Sequence, residues 1–231
     1  MKIHRRNVSF EVTEGTPNEN FWGYSDWERE TYDVLSNWLK NDKIYIDIGA
    51  WIGPTVLFAA KLCKKVYTFE PDPSAWEELQ SNIRLNGYTN IIAQNVAVGN
   101  NNGIIYMGSD NRLGESTTRV GKFQNGTDFS ASCISIDDFL VSIESELNDI
   151  NFIKIDIEGG EAEIANSKML KKLKIPTLVS IHPPMISDFD AKIENIIELA
   201  KLYDRCESAV GASISPDQLR NIRYHHTILL S

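Results

Sequence analysis

The chain has 231 residues, 42% of them hydrophobic and 24% charged, an ordinary composition for a single folded domain with decorations. Its formal net charge of −9 speaks against a nucleic-acid partner, because binding to that backbone relies on Lys and Arg patches that neutralise phosphates. No apolar run reaches the length that spans a membrane, and the charged start MKIHRRNVSFEV lacks the apolar stretch of a signal peptide.

In chain order, Lys2, Arg5 and Arg6 are expected at a solvated end, followed by a strand in which Val8, Phe10 and Val12 alternate with polar residues. Residues 1–24 are read as an N-terminal strand/helix extension and residues 25–231 as the main domain. Ser25-Asp26-Trp27-Glu28 fits a capping box opening a helix whose apolar face is Trp27, Val34, Leu35, Trp38 and Leu39. Strand KIYIDIG, a helix begun by Pro54 and strand KVYTFE follow. Asp72 and Pro73 make an N-cap and N1 pair for helix PSAWEELQSNIRLN, which Gly87 ends. IIAQNVAV and GIIYM are the next expected strands. Residues 108–131 are polar, glycine-rich and without period; a loop of this length is either a substrate-facing flap or a passive surface connection. Helix DDFLVSIESEL, strand NFIKIDIE, a helix near GEAEIANSKML, strand IPTLVSIH, helix FDAKIENIIELAKLY and a closing strand in HHTILLS complete the pattern. Cys63, Cys133 and Cys206 are far apart and form no CxxC, which points to a reducing, cytoplasmic setting where the Asn7 and Asn125 sequons carry little weight. Repeated βα units predict a mostly parallel sheet with helices on both faces, its ligand beyond the carboxyl ends of the strands.

The most informative stretch is YIDIGAWIGPTVLFAAKLCKKVYTFE, a βαβ unit with the spacing DxGxxxG. The GxGxxG of a dinucleotide site and the Lys-Ser/Thr pair of a P-loop are both absent. Gly49 is expected to let backbone approach a ligand, and Gly53 with Pro54 to open a helix whose free N–H groups suit the carboxylate of S-adenosylmethionine. Asp47 is placed to balance that cofactor's ammonium or sulfonium charge. Glu70 falls about 20 residues past the glycine turn, where ribose hydroxyls are held. Asp72 is grouped with the cofactor contacts, and Asn95 either meets the adenine edge or is an ordinary turn residue.

In NFIKIDIEGGE, alternation puts Lys154, Asp156 and Glu158 on one face of a strand and Ile153, Ile155 and Ile157 on the other. Central parallel strands normally read as continuous apolar runs, and buried charge needs a partner. Lys154 is therefore expected to neutralise part of an acidic cluster made with Asp156 and Asp47 of the neighbouring strand.

Taken together, YIDIGAWIG, FEPDP, NVAVGN, SIDDFL and KIDIEGGE resemble FkbM-type methyltransferases over roughly Trp27 to His182. The resemblance implies a class I methyltransferase (Rossmann-like) α/β fold, with a seven-stranded mostly parallel sheet whose last strand is antiparallel. It implies S-adenosylmethionine as cofactor, contacts at Asp47, Gly49, Gly53 and Glu70, and a reaction-centre role for Asp156 and Glu158. Trp51 departs from the small polar residue that many relatives carry; it either walls the methyl pocket, stacks on a sugar, or packs in the core.

Methyl transfer to a hydroxyl of a sugar, glycan or natural product is the expected activity. Alignment of the reacting atoms supplies most of its acceleration and a positioned base adds about 10²–10⁴-fold. His182 at the end of IPTLVSIH is the candidate base, with Asp156 and Glu158 as rivals or substrate partners. His4, His225 and His226 lie away from the motifs, and no His/Asp/Glu set has a metal-ligand spacing, so metal-independent chemistry is expected. An amino-group methyltransferase, a non-catalytic cofactor-binding module and a nicotinamide oxidoreductase are the alternatives. The last lacks its glycine fingerprint.

Overall fold

The computed structural model describes residues 1–123 and 127–231, so the Asn125 sequon lies outside the described residues. The first half carries β1 (Lys2–Arg5), β2 (Val8–Glu11), α1 (Arg29–Trp38), β3 (Ile44–Ile48), α2 (Pro54–Ala59), β4 (Lys65–Phe69), α3 (Pro73–Leu85), β5 (Ile91–Gln94), β6 (Ala97–Gly99) and β7 (Gly103–Gly108). The second carries β8 (Arg119–Val120), β9 (Phe129–Ser135), α4 (Ile136–Ser142), β10 (Ile150–Ile155), α5 (Glu161–Ile164), α6 (Lys168–Leu173), β11 (Thr177–Ile181), α7 (Phe189–Ala200), β12 (Cys206–Ser208) and β13 (His226–Leu230).

Seven strands pair in the order β12-β13-β11-β10-β3-β4-β5. The run from β11 to β5 is parallel, and β13 is antiparallel to both β11 and β12. This is the mixed sheet of the class I methyltransferase fold, with its last strand reversed as expected. β3 is buried along its whole length, which explains its near-continuous apolar run. Ile44, Ile46 and Ile48 pack with Ile153, Ile155 and Val179 under α4, α5, α6 and α7. Tyr45, Phe152 and Leu178 pack on the opposite face with α1, α2, α3 and the β1–β2 hairpin. Among the described residues, no helix is long and apolar enough to cross a membrane.

Several local expectations need correction. The basic start is not wholly solvated: Arg5 is buried and donates to the carbonyls of Trp22 (3.4 Å) and Tyr24 (3.1 Å), which tie the hairpin down. No capping box forms at Ser25, because Glu28 takes a left-handed φ of 43° and α1 begins only at Arg29. IIAQNVAV divides between two sheets at Asn95-Val96, β5 joining the large one and β6 a small one. That four-stranded sheet, in the order β6-β9-β7-β8, takes up both ends of the expected loop and the pair Arg119–Val120 within it. The serines of FSASCIS hid β9, whose Ala131 and Cys133 pack against Ala97 and Met107. The single helix expected near GEAEIANSKML is two short ones, α5 and α6, because Ser167 caps a new start through Leu170 N–H (3.0 Å). Asp72 caps α3 as expected, accepting from the N–H groups of Ser74 (2.8 Å) and Ala75 (3.2 Å).

Candidate active site

A cavity of about 520 Å³ opens beyond the carboxyl ends of β3, β4 and β10, covered on one side by the small sheet and the segment from Glu115 to Thr118. The glycine loop forms one wall. Gly49 has φ 93° and Gly53 φ 98°, and Trp51 between them sits at φ 48°. A Cβ at Gly49 would lie 1.8 Å from the carbonyl oxygen of Asp156, so the close approach of the β3 and β10 ends by itself requires glycine there. At Gly53, a Cβ would meet Leu79 at 2.7 Å, beneath α3.

Glu70 is buried at the end of β4 and accepts from Trp51 N–H and Asp72 N–H, each at 2.7 Å and each on a different oxygen. Burial raises its pKa to about 8, against the lowering effect of those two bonds. The Trp51 indole donates to Gly114 O (2.8 Å) and meets Phe21 edge-on at a centroid distance of 4.4 Å. It thereby pins the former loop to the glycine turn. Asp72 adds to this by accepting from Gly114 N–H (2.8 Å) and the Thr118 hydroxyl (2.7 Å).

Asp47 and Lys154 are register partners across β3 and β10, both buried on the same face. The Lys154 ammonium lies 3.0 Å from Asp156 Oδ2 and 3.8 Å from Asp47 Oδ1. Tyr45 and Thr55 hydroxyls donate to Asp47 Oδ2 at 3.0 and 2.6 Å. Burial alone would depress the Lys154 pKa, yet Asp156, Asp47 and Glu28 outweigh it and hold it above the ordinary range. Burial likewise works against the Asp156 charge, and Lys154 with His182 keeps its pKa below normal. Burial raises the pKa of Asp47.

The strand ends at Ile155, so Glu158 is not on its face; it stands in the following turn at φ 55°. His182 nevertheless brings Asp156 and Glu158 together, its Nε2 lying 3.7 Å from Asp156 Oδ1 and 3.5 Å from Glu158 Oε2. Its Nδ1 lies 2.8 Å from Oε1 of Glu161, a fully buried residue that also accepts from Gly159 N–H at 3.0 Å. Burial opposes the imidazolium, but the Glu161 hydrogen bond and the charges of Asp156, Glu161 and Glu158 raise the His182 pKa to about 9. Burial, with Asp156 and Glu161 nearby, pushes Glu158 up to about 7 despite His182.

All four expected catalytic residues, Lys154, Asp156, Glu158 and His182, line the cavity. Of the expected cofactor contacts, Gly49, Glu70 and Asp156 line it; Asp47, Gly53, Asp72 and Asn95 do not. Asn95 instead donates to the carbonyls of Glu70 (2.8 Å) and Pro71 (3.3 Å), securing the turn after β4. Residues the sequence reading passed over are present as well. His225, set aside as remote, stacks on His182 with centroids 4.6 Å apart and rings 14° from parallel. Glu28 reaches the Lys154 cluster, where burial and Asp156 raise its pKa to about 7. Glu161 had a signal in GGE, an acid opening a helix after the charged strand; Glu28 and His225 had none.

A family model described as the methyltransferase FkbM domain matches residues 47–206. The structure is similar to that of methyltransferase FkbM from Methylobacillus flagellatus KT, with TM-score 0.50 and 14% identity over 95% of this chain and 56% of that one. An rRNA methylase from Streptococcus thermophilus aligns with TM-score 0.48 and 12% identity over 88% of this chain and 95% of that one. The uncharacterised protein MJ1452 of Methanocaldococcus jannaschii is 35% identical over 75 residues, 30% of this chain and 29% of that protein. The chain thus spans little more than half of the Methylobacillus protein and under a third of the Methanocaldococcus one. The S-adenosylmethionine expectation agrees with the matched domain, whose model runs from Asp47 at the glycine loop to Cys206 on β12, and the chain belongs to the FkbM methyltransferase domain family.

Proposed function

We propose that the chain is an S-adenosylmethionine-dependent O-methyltransferase acting on a hydroxyl of a sugar, glycan or natural-product acceptor. The observation that carries this reading is one continuous cavity joining the glycine loop and Glu70 at one end to Lys154, Asp156, Glu158 and His182 at the other. The residues fit the cofactor: each Glu70 oxygen is held by one backbone donor, which presents the carboxyl to a ribose hydroxyl. Gly49, Ala50 and Trp51 supply the adjoining wall, and Asp156 offers a carboxylate to the cationic end. When bound, S-adenosylmethionine supplies a methyl group on a sulfonium.

The chain's own residues orient the acceptor and take its proton. Lys154 holds Asp156 ionised and fixed, leaving Oδ1 facing the cavity cluster. With its pKa raised to about 9, His182 is held as an imidazolium at neutral pH, suited to orient an acceptor oxygen by donating from Nε2. Glu158, at about 7, is the group poised to accept the hydroxyl proton. The net charge of −9 favours a small molecule or glycan over nucleic acid as acceptor.

The test is incubation of hydroxylated glycans and small molecules with the protein and isotopically labelled S-adenosylmethionine, read by mass spectrometry. Label on oxygen supports the reading, and label on nitrogen replaces it with an amine methyltransferase. Calorimetric binding of S-adenosylmethionine without transfer to any acceptor would leave the binding-module reading in its place.

A further inference from the structure

The cluster at the acceptor end has a construction that hydrogen bonding alone does not explain. Asp156, Glu158 and His182 come from three places, the end of β10, the turn after it and the end of β11, and each offers one ligand atom within 4.8 Å of the other two. Two of the three side chains are already held from behind. Asp156 gives its Oδ2 to Lys154 at 3.0 Å, and His182 gives its Nδ1 to Glu161 at 2.8 Å. Glu161 in turn is anchored by Gly159 N–H, so the ring orientation is set and Nε2 faces the two carboxylates. Glu158 Oε2 is buried and has no hydrogen-bond partner, although a buried acceptor without a partner is expensive. Its separation from Nε2, 3.5 Å, and that of Asp156 Oδ1, 3.7 Å, are long for an N–H···O bond, whose usual range is about 2.7–3.2 Å. Ligand atoms about 2.1 Å from a tetrahedral or octahedral cation stand roughly 3.0–3.4 Å apart, so the two His182 separations need to close by only a few tenths of an ångström.

We propose that Asp156, Glu158 and His182 form a binding site for one divalent cation of the Mn²⁺–Zn²⁺ class, with Glu161 as the positioning residue that presents His182 Nε2. Two carboxylate oxygens and one imidazole nitrogen suit these borderline cations better than Ca²⁺, which takes six to eight oxygens. A ligating histidine whose other nitrogen donates to a buried carboxylate is the usual support for such a ligand. The cation takes the place between the three groups that the imidazolium proton otherwise fills, so the donor role of His182 and the proton-accepting role of Glu158 belong to the cation-free protein. Its remaining coordination positions open on the cavity, where acceptor oxygens enter; that last use, unlike the site itself, rests on the methyl-transfer reading. This departs from the metal-free chemistry expected of the sequence, in which the three residues show no ligand spacing because they meet only in the fold.

The experiment is calorimetric titration of chelator-treated, desalted full-length protein with MnCl₂ and, separately, ZnCl₂, with no methyl donor present. One-to-one binding is expected, weakened at least about tenfold in Glu158→Gln and by about 10–100-fold in Glu161→Gln. Pulsed electron paramagnetic resonance of the Mn²⁺-loaded wild type should show coupling to a histidine nitrogen. That measurement keeps the proposal open to refutation even where a variant fails to fold. No one-to-one binding, equal affinity in Glu158→Gln, or Mn²⁺ without nitrogen coupling would each overturn the site. Cation binding in a protein that transfers no methyl group would sink the methyl-transfer reading and leave the site standing.

Discussion

Glu161 Oε1 lies 2.8 Å from His182 Nδ1, and this single contact decides what the imidazole can do. It anchors the ring through Nδ1 and turns Nε2 toward Asp156 and Glu158. Glu161→Ala would strip the acceptor from both His182 and Gly159 N–H, with an expected loss of about 1–3 kcal/mol of stability. On the methyl-transfer reading, kcat falls at least tenfold while the KM for the methyl donor stays within a few-fold, and Glu161→Gln, which keeps one acceptor oxygen, recovers part of the loss. Steady-state kinetics beside chemical denaturation checks both. Unchanged kcat in a folded Glu161→Ala protein would remove Glu161 from the machinery.

Lys154→Met leaves Asp47 and Asp156 buried without their shared cation. Removing one partner from a buried ion pair typically costs about 3–5 kcal/mol, and that is the expected loss at pH 7. The deficit should shrink as pH falls, because the stranded carboxylates take up protons more readily in the folded variant than in its unfolded chain. Urea unfolding of wild type and variant at pH 7 and pH 5 measures it. Equal stabilities at pH 7 would mean that the network contributes nothing.

Glu70 has a folded-state pKa of about 8, raised by burial from its ordinary 4.5. Its folded form therefore binds more protons than its unfolded form between these values. The associated stability is fully present below about 4.5, declines as pH rises, and is gone above about 8. In Glu70→Gln this dependence disappears. The difference in unfolding free energy between wild type and variant should fall across that window and then level off. A flat difference would contradict the raised pKa.

At Gly49, both the φ of 93° and the 1.8 Å approach of a hypothetical Cβ to Asp156 O argue against any side chain. The left-handed backbone alone costs a non-glycine residue about 1–3 kcal/mol, and the clash adds to it. Gly49→Ala is expected to lower stability by at least about 2 kcal/mol and to shift the β10 end that carries Asp156. Thermal unfolding reads the first effect. A melting temperature matching the parent would show that the β3 and β10 ends separate at little cost.

Trp51→Ala removes the indole bond to Gly114 O and the edge contact with Phe21. The segment from Gly114 to Thr118 then keeps Asp72, and the Asn18 amide that donates to Gly114 O (3.2 Å), as anchors. Faster proteolysis within residues 108–123 and weaker binding of the methyl donor are the expected outcomes. Limited digestion followed by mass spectrometry locates the cuts, and protection equal to wild type would make Trp51 a packing residue only.

Six of the seven strands of the large sheet and their approximate bounds were legible in the chain; the short β12 was not, and the reversal of the last strand came from the family resemblance. Buried parallel strands must be apolar runs, and Pro54, Asp72 and Gly87 mark helix starts and ends by chemistry that acts within a few residues. The pairing of Lys154 with the Asp47 strand followed from alternation and the penalty on buried charge, both local arguments once adjacent strands are assumed. What local chemistry could not decide was anything depending on contact between distant segments. The small sheet, the role of Gly49 toward Asp156 O, and the arrival of Glu28 and His225 beside the charged strand all rest on such contacts. Asp156, Glu158, Glu161 and His182 show no shared spacing because β10, the turn after it, α5 and β11 meet only when the sheet forms. The chain alone named the methyl donor through Asp47 to Glu70; tertiary packing set which nitrogen of His182 faces the reaction, since Glu161 reaches it only across the folded β10–β11 ends.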